Sequence, residues 1–221
     1  MKRLFLLLIL ISFTNTFGQC SWKDVFPFEM GSSKFDVMRI VTTNSMIEQP
    51  PDKFGVDRIN NGLQYYDYLQ DSVYINVINL KFKGNKCIVV GNDNHIQLRL
   101  SDDILHRAEI EIEFSKDEYN VMLANYKKVL ELVPEDYKYE VPHDKFHIET
   151  REKIGEAIFF STDGKGVKEK LNDIDIGYII KYKRVYDKVS KKWYRSNEIQ
   201  NYSLIISITD LRKSRLTTNG Y

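Results

Sequence analysis

The 221-residue chain carries 32 basic and 31 acidic side chains, a formal net charge of +1, so no overall charge excess points to a polyanionic or polycationic partner. Its 43% hydrophobic content, with 11 Gly and 5 Pro, suits a globular chain with a sizeable core. It has no low-complexity tract and no Pro- or Ser-rich linker, which leaves one domain or two tightly joined ones.

In chain order the first element is a secretory signal over residues 1–19. Lys2 and Arg3 form its charged start, Leu4 to Phe13 its apolar stretch and Thr14 to Gln19 its small, polar end. The apolar stretch is shorter than the roughly 20 residues a membrane span requires, and no later run is longer, so no transmembrane segment is expected in the mature chain. Removing residues 1–19 lowers the net charge by two. Phe17-Gly18-Gln19 resembles the ends of exported-protein signals of the Bacteroidetes, which implies a diderm envelope. The expected location is therefore periplasmic or secreted. A lipid anchor on Cys20 is disfavoured, because Gln19 and Phe17 stand where a lipoprotein signal carries a small residue and Leu. Cys20 and Cys87, the only cysteines, can pair in an oxidising compartment or stand as separate thiols.

Two helices follow from capping and periodicity. Ser33 and Asp36 form a capping box ahead of an apolar face of Phe35, Met38 and Val41, with an end near Asn44. Ser115 and Glu118 repeat the box before Tyr119, Met122, Leu123, Tyr126, Val129, Leu130 and Val133, a stripe stopped by Pro134. Most of the rest is strand. In "RAEIEIEF", Ala108, Ile110, Ile112 and Phe114 alternate strictly with Arg107, Glu109, Glu111 and Glu113. "IQLRL" precedes it across Ser101-Asp102-Asp103, a hairpin. "SVYINVINLKF", "KCIVV", "GEAIFFS", "IGYIIKYKRVY" and "YSLIISI" complete the set. The predicted class is α+β: mostly antiparallel sheet with two principal helices packed on one face, admitting two related modules. The expected division is a signal at 1–19, an N-terminal α/β module at 20–91 and a C-terminal α+β module at 92–221.

Gly31-Ser32-Ser33 with Val37, a short helix, Pro50-Pro51, the aromatic "LQYYDYL" and the hairpin "LKFKGNKCIVV" resemble the small α/β modules of SmpA/OmlA-type outer-membrane assembly lipoproteins and β-lactamase-inhibitor proteins. The resemblance covers residues 22–91 and implies a non-enzymatic envelope protein that works by binding other proteins. "SKFDVM" at Ser33 and "SKDEYNVM" at Ser115 lie 82 residues apart, the spacing an internal repeat would have.

Catalytic signatures are missing: no Gly-x-Ser-x-Gly elbow, phosphate loop, Gly-x-Gly-x-x-Gly or Cys-x-x-Cys occurs. No catalytic residue, metal ligand or cofactor is assigned. "HDKFHIE" offers at most His143, His147 and Glu149, and its charged, Pro-flanked setting reads as an exposed connection.

Charge distribution is more informative. Residues 101–156 hold 15 acidic and 8 basic side chains, whereas residues 181–215 hold 10 basic and 3 acidic. The basic excess centres on "KYKRVYDKVSKKWYR", with Lys181, Lys183, Arg184, Lys188, Lys191, Lys192 and Arg195 interleaved with Tyr182, Tyr186, Trp193 and Tyr194. One reading is a solvated hairpin that neutralises acidic strands of its own molecule. The other is a binding site, centred on these cations and Trp193, for an envelope protein or an anionic lipid or glycan. Nucleic acid is not an expected partner of an exported protein. The function expected is an exported, non-enzymatic envelope binding protein. The alternative is a periplasmic hydrolase using paired carboxylates such as Glu109 and Glu111, neighbours on one strand face.

Overall fold

The computed structural model describes residues 20–44, 46–48, 68–70, 73–82, 87–88, 93–141, 147–148, 151–162 and 170–212. The expected signal segment lies outside these residues, as do His143 and Glu149 and the side chain of His147. The elements are α1 (Trp22–Val25), α2 (Lys34–Thr43), β1 (Ile47–Glu48), β2 (Tyr68–Gln70), β3 (Val73–Lys81), β4 (Asp93–Ser101), β5 (Ile104–Ser115), α3 (Tyr119–Leu132), β6 (Lys138–Glu140), β7 (His147–Ile148), β8 (Arg151–Thr162), β9 (Lys170–Asp187) and β10 (Lys192–Asp210).

Every strand pairing is antiparallel, in one sheet of order β1-β3-β4-β5-β10-β9-β8-β6, with β2 on β3 and β7 on β8. The order is symmetric about the β5–β10 pair. On each side a helix is followed in the chain by a short edge strand and then by the longer strands that build inward. The β3–β4 ladder crosses residue 91, so one hydrogen-bonded sheet spans both of the expected modules.

The alternation of β5 sets the two faces. Ala108, Ile110, Ile112 and Phe114 are buried, and their partners on β10 are Ile208, Ile206, Leu204 and Tyr202. Across β10 the same apolar face continues through Ile174, Ile176 and Tyr178 of β9. The β4–β5 turn places Asp102 and Asp103 at φ 49° and 60°, the left-handed pair of a two-residue hairpin that short polar side chains tolerate. A Cβ at Gly155 would collide with the ring of Tyr178, so this position on β8 needs glycine for the ring to lie over the backbone.

The expected layer of two principal helices on one sheet face is corrected: the structure is dominated by its antiparallel sheet, and the helices are small. A 14-residue helix is about 21 Å long and about 10 Å across, while eight strands side by side span roughly 34 Å. Accordingly α3 reaches only the centre, where the Tyr119 ring lies 5.1 Å from Tyr202 and the Tyr126 ring 5.0 Å from Tyr178. The start of α2 is tied to the β4–β5 turn: Lys34 N donates to Asp103 O at 2.8 Å and Leu105 N to Ser32 O at 2.9 Å. Beyond that tie, Val37 and Val41 of α2 join the buried cluster of the sheet.

Two local readings also change. Phe35 is 77% exposed, and α2 buries Val37 and Val41 instead of a Phe35–Met38–Val41 face. Glu118 does accept from Ser115 N at 2.8 Å, but it caps a turn, and α3 begins at Tyr119. Phe35→Ser should therefore change stability by less than about 0.5 kcal/mol, as at other surface positions. Urea denaturation checks this, and a loss of several kcal/mol would show that Phe35 packs in the core.

Candidate functional site

The cations picked out in the sequence fall on the hairpin of β9 and β10, the two longest strands at 18 and 19 residues. Their neighbours stop early. β5 leaves β10 at the Ser115–Asn201 pair, and β8 leaves β9 at the Arg151–Lys181 pair. From about residue 182 to residue 200 the hairpin is therefore a two-stranded arm, roughly 20 Å long at the rise of a β-strand.

An isolated two-stranded ribbon is marginal in water, so its own side chains must hold it. At the root, Arg195 stacks 3.6 Å from the centre of the Tyr182 ring, and Glu152 accepts from Tyr182 Oη at 2.9 Å and Arg195 Nη2 at 3.1 Å. Further out the paired rings of Tyr186 and Trp193 lie 5.2 Å apart. At the turn, Val189 N donates to Asp187 Oδ1 at 2.9 Å, Tyr194 Oη lies 3.0 Å from Ser190 Oγ, and Lys191 takes φ 54°. Hydrogen bonds from Ser190 and from the backbone of Val189 hold the Asp187 carboxyl below the usual carboxylate range. That carboxylate, the sole acidic group between residues 181 and 197, is engaged in shaping the turn.

The arm divides its cations into two groups. Lys183 pairs with Glu198, and Arg195 with Glu152. Lys181 is set apart from the arm: it folds over the polar face of the sheet, with Nζ 2.7 Å from Glu111 Oε1 and also bonded to Glu113. Arg184, Lys188, Lys191 and Lys192 have no acidic partner among the described residues. They accompany exposed apolar groups: Trp193 at 58%, Val189 at 93%, and Val185, Tyr186 and Tyr194. Val189 was not singled out in the sequence, although an apolar residue inside a Lys-rich turn was a legible signal.

On the polar sheet face Glu109, Glu111 and Glu113 of β5 each have a cation beside them. Burial pushes the Glu111 carboxyl up, but the Lys181 charge and hydrogen bond, with help from Ser203 and Arg151, outweigh it and hold the group below its ordinary value. Glu109 lies 3.1 Å from Arg107 Nη2. A second cluster, invisible in the sequence, joins Lys153 of β8 to Glu156 and, at 3.3 Å, to Asp175 of β9. The Lys153 stem lies close over Gly177, where a Cβ would approach its Cε to 2.9 Å. Burial raises the Asp175 carboxyl, Lys153 opposes this, and Glu156 adds to it. No signal in the chain links residues so far apart; the β8–β9 register alone brings them together.

Cys20 and Cys87 form a disulfide, 67 residues apart in sequence. No helix among the described residues is long and apolar enough to cross a membrane. Fold and arm together define the class: a disulfide-linked antiparallel-sheet protein with a projecting, cationic and aromatic hairpin. Comparison with protein-family models, with curated proteins and with solved structures gave no match.

Proposed function

We propose that this is an exported, non-enzymatic protein of the cell envelope, periplasmic or secreted, that binds an anionic partner through the tip of the β9–β10 arm. The observation that carries the reading is the split among the cations. If the basic segment served only to neutralise its own molecule, its outermost charges would be paired, yet Arg184, Lys188, Lys191 and Lys192 have no acidic partner among the described residues and stand beside exposed aromatic rings. Desolvating such rings and releasing such charges to an anionic surface are favourable together.

Export is supported by the signal-like residues 1–19 and by the disulfide, since disulfides persist in oxidising compartments. The same bond bears on anchoring. A thioether-linked lipid needs the Cys20 sulfur, and that sulfur is bonded to Cys87. An assembly or inhibitory role, as the resemblance of residues 22–91 implies, belongs to the same proposal. The Glu109 and Glu111 pair finds less support as a hydrolase site, because an acid–base pair needs one carboxyl raised toward neutrality, whereas Glu111 is held low and Glu109 is ion-paired; the raised Asp175 is bonded to Lys153.

The test is the triple variant Lys188→Ser, Lys191→Ser, Lys192→Ser. All three residues are exposed, so thermal stability should stay within about 0.5 kcal/mol of wild type. Association with isolated envelope fractions should fall sharply and lose its salt dependence, given a screening length of about 8 Å at physiological ionic strength. Unchanged binding at low salt would remove the arm as the site.

A further inference from the structure

We propose that the partner of the arm is an anionic phospholipid bilayer, with Val189 inserted as the apex. This rests on the arm being the binding site and adds what it binds. The tip has three levels. Val189 stands outermost, 93% exposed, in a turn pinned by the Asp187 and Tyr194 bonds. Lys188, Lys191 and Lys192 surround it, all exposed and without an acidic partner among the described residues. Behind them come Tyr186, Trp193 and Tyr194.

This order matches the layers of a membrane surface. Counting from Val189, Tyr186 is three residues back along β9, roughly 10 Å at the rise of a strand; Trp193 is its partner on β10, and Tyr194 lies one step further from the apex. Interfacial elements bury their apolar groups to a depth of about 5–10 Å. Tyr and Trp favour the headgroup level, where the ring is dry and the N–H or O–H is wet, and lysine stems extend along apolar surface while their ammonium groups meet phosphates. A protein partner suits the tip less well. A stable protein interface takes roughly 800 Å² and 20–30 residues per partner, more residues than the four-residue turn and its flanking rings provide, whereas a fluid bilayer asks for no shape complementarity.

The chain has two tryptophans, so Trp22→Phe leaves Trp193 as the reporter inside the arm. In that background, vesicles of mixed phosphatidylglycerol and phosphatidylcholine should shift Trp193 emission to the blue, and bromine-labelled acyl chains should quench it. Pure phosphatidylcholine should bind far more weakly. Val189→Asp should weaken binding by roughly tenfold or more, and Val189→Leu should strengthen it. The triple lysine variant should weaken it by roughly a hundredfold at low salt. Unshifted Trp193 emission, or wild-type binding by Val189→Asp, would overturn insertion. If no vesicle binds while the triple variant still loses the envelope fraction, the lipid assignment fails and the arm as a site stands. If the triple variant loses neither, both fail.

Discussion

Cys87→Ser is expected to lower folding stability by about 4 kcal/mol, the loop-closure value for cysteines 67 residues apart. The bond fastens Cys20, the first of the described residues, to the segment just ahead of β4. From there the N-terminal residues feed the core: Val25, Phe26 and Phe28 are buried, with the Phe26 ring 6.0 Å from Trp22 and 5.9 Å from Phe28. Cys87 is itself buried, so serine would add a polar group to an apolar site. Urea denaturation of wild type with and without reductant, beside the Cys20→Ser, Cys87→Ser double variant, separates the contributions. Reductant should destabilise wild type and leave the double variant unchanged. Equal stability of oxidised and reduced wild type would show that the cross-link contributes nothing.

The second large effect is expected at Lys181, whose ammonium lies between Glu111 and Glu113 while Asn201 Nδ2 donates to the latter at 3.2 Å. Lys181→Met keeps the volume of the stem and removes the charge, leaving two carboxylates side by side on a largely desolvated sheet face. The expected loss is about 3 kcal/mol at pH 7.

Its pH dependence is diagnostic. In wild type, Glu111 lies below its ordinary 4.5 in the fold, so its contribution is present above 4.5 and disappears as pH falls through the folded value. In Lys181→Met, burial acts on Glu111 without its strongest counterweight, and the folded carboxyl moves upward. The penalty then accumulates as pH rises above 4.5 and is relieved on acidification. The stability gap between the two proteins should narrow from pH 7 toward pH 4, and adding Glu111→Gln should restore much of the loss. A gap independent of pH would mean that the variant loses packing, with the ion pair contributing nothing.

Local features were legible in the chain because they depend on neighbours in sequence. The period-two alternation over Arg107 to Phe114 marks β5 and its two faces, Asp102-Asp103 marks the hairpin turn, and Pro134 follows the end of α3. The concentration of cations in residues 181–195 was equally plain. Periodicity was less informative where apolar residues lie on more than one side of a helix. In α2 the 3.6-residue repeat suits Phe35 as well as Val37, and only the docking of Ser32 and Lys34 on the β4–β5 turn directs Val37 inward.

The helical layer was over-read for a related reason. Apolar helix faces in sequence do not reveal how wide a sheet they must cover, and ten strands exceed what two short helices span. The roles of the cations depended most on tertiary structure. Lys181 and Lys192 look alike in sequence, yet the registers of β5, β10 and β9 bring Lys181 to carboxylates 68 and 70 residues away, while Lys192 faces only Asp187, whose carboxylate is turned to the Val189 N–H and Ser190 of its own turn. Composition and local pattern determined which elements form and how charge is distributed along the chain. Which charges are neutralised was decided by strand register and strand length, because an ion pair forms only where folding brings its two groups within a few ångströms.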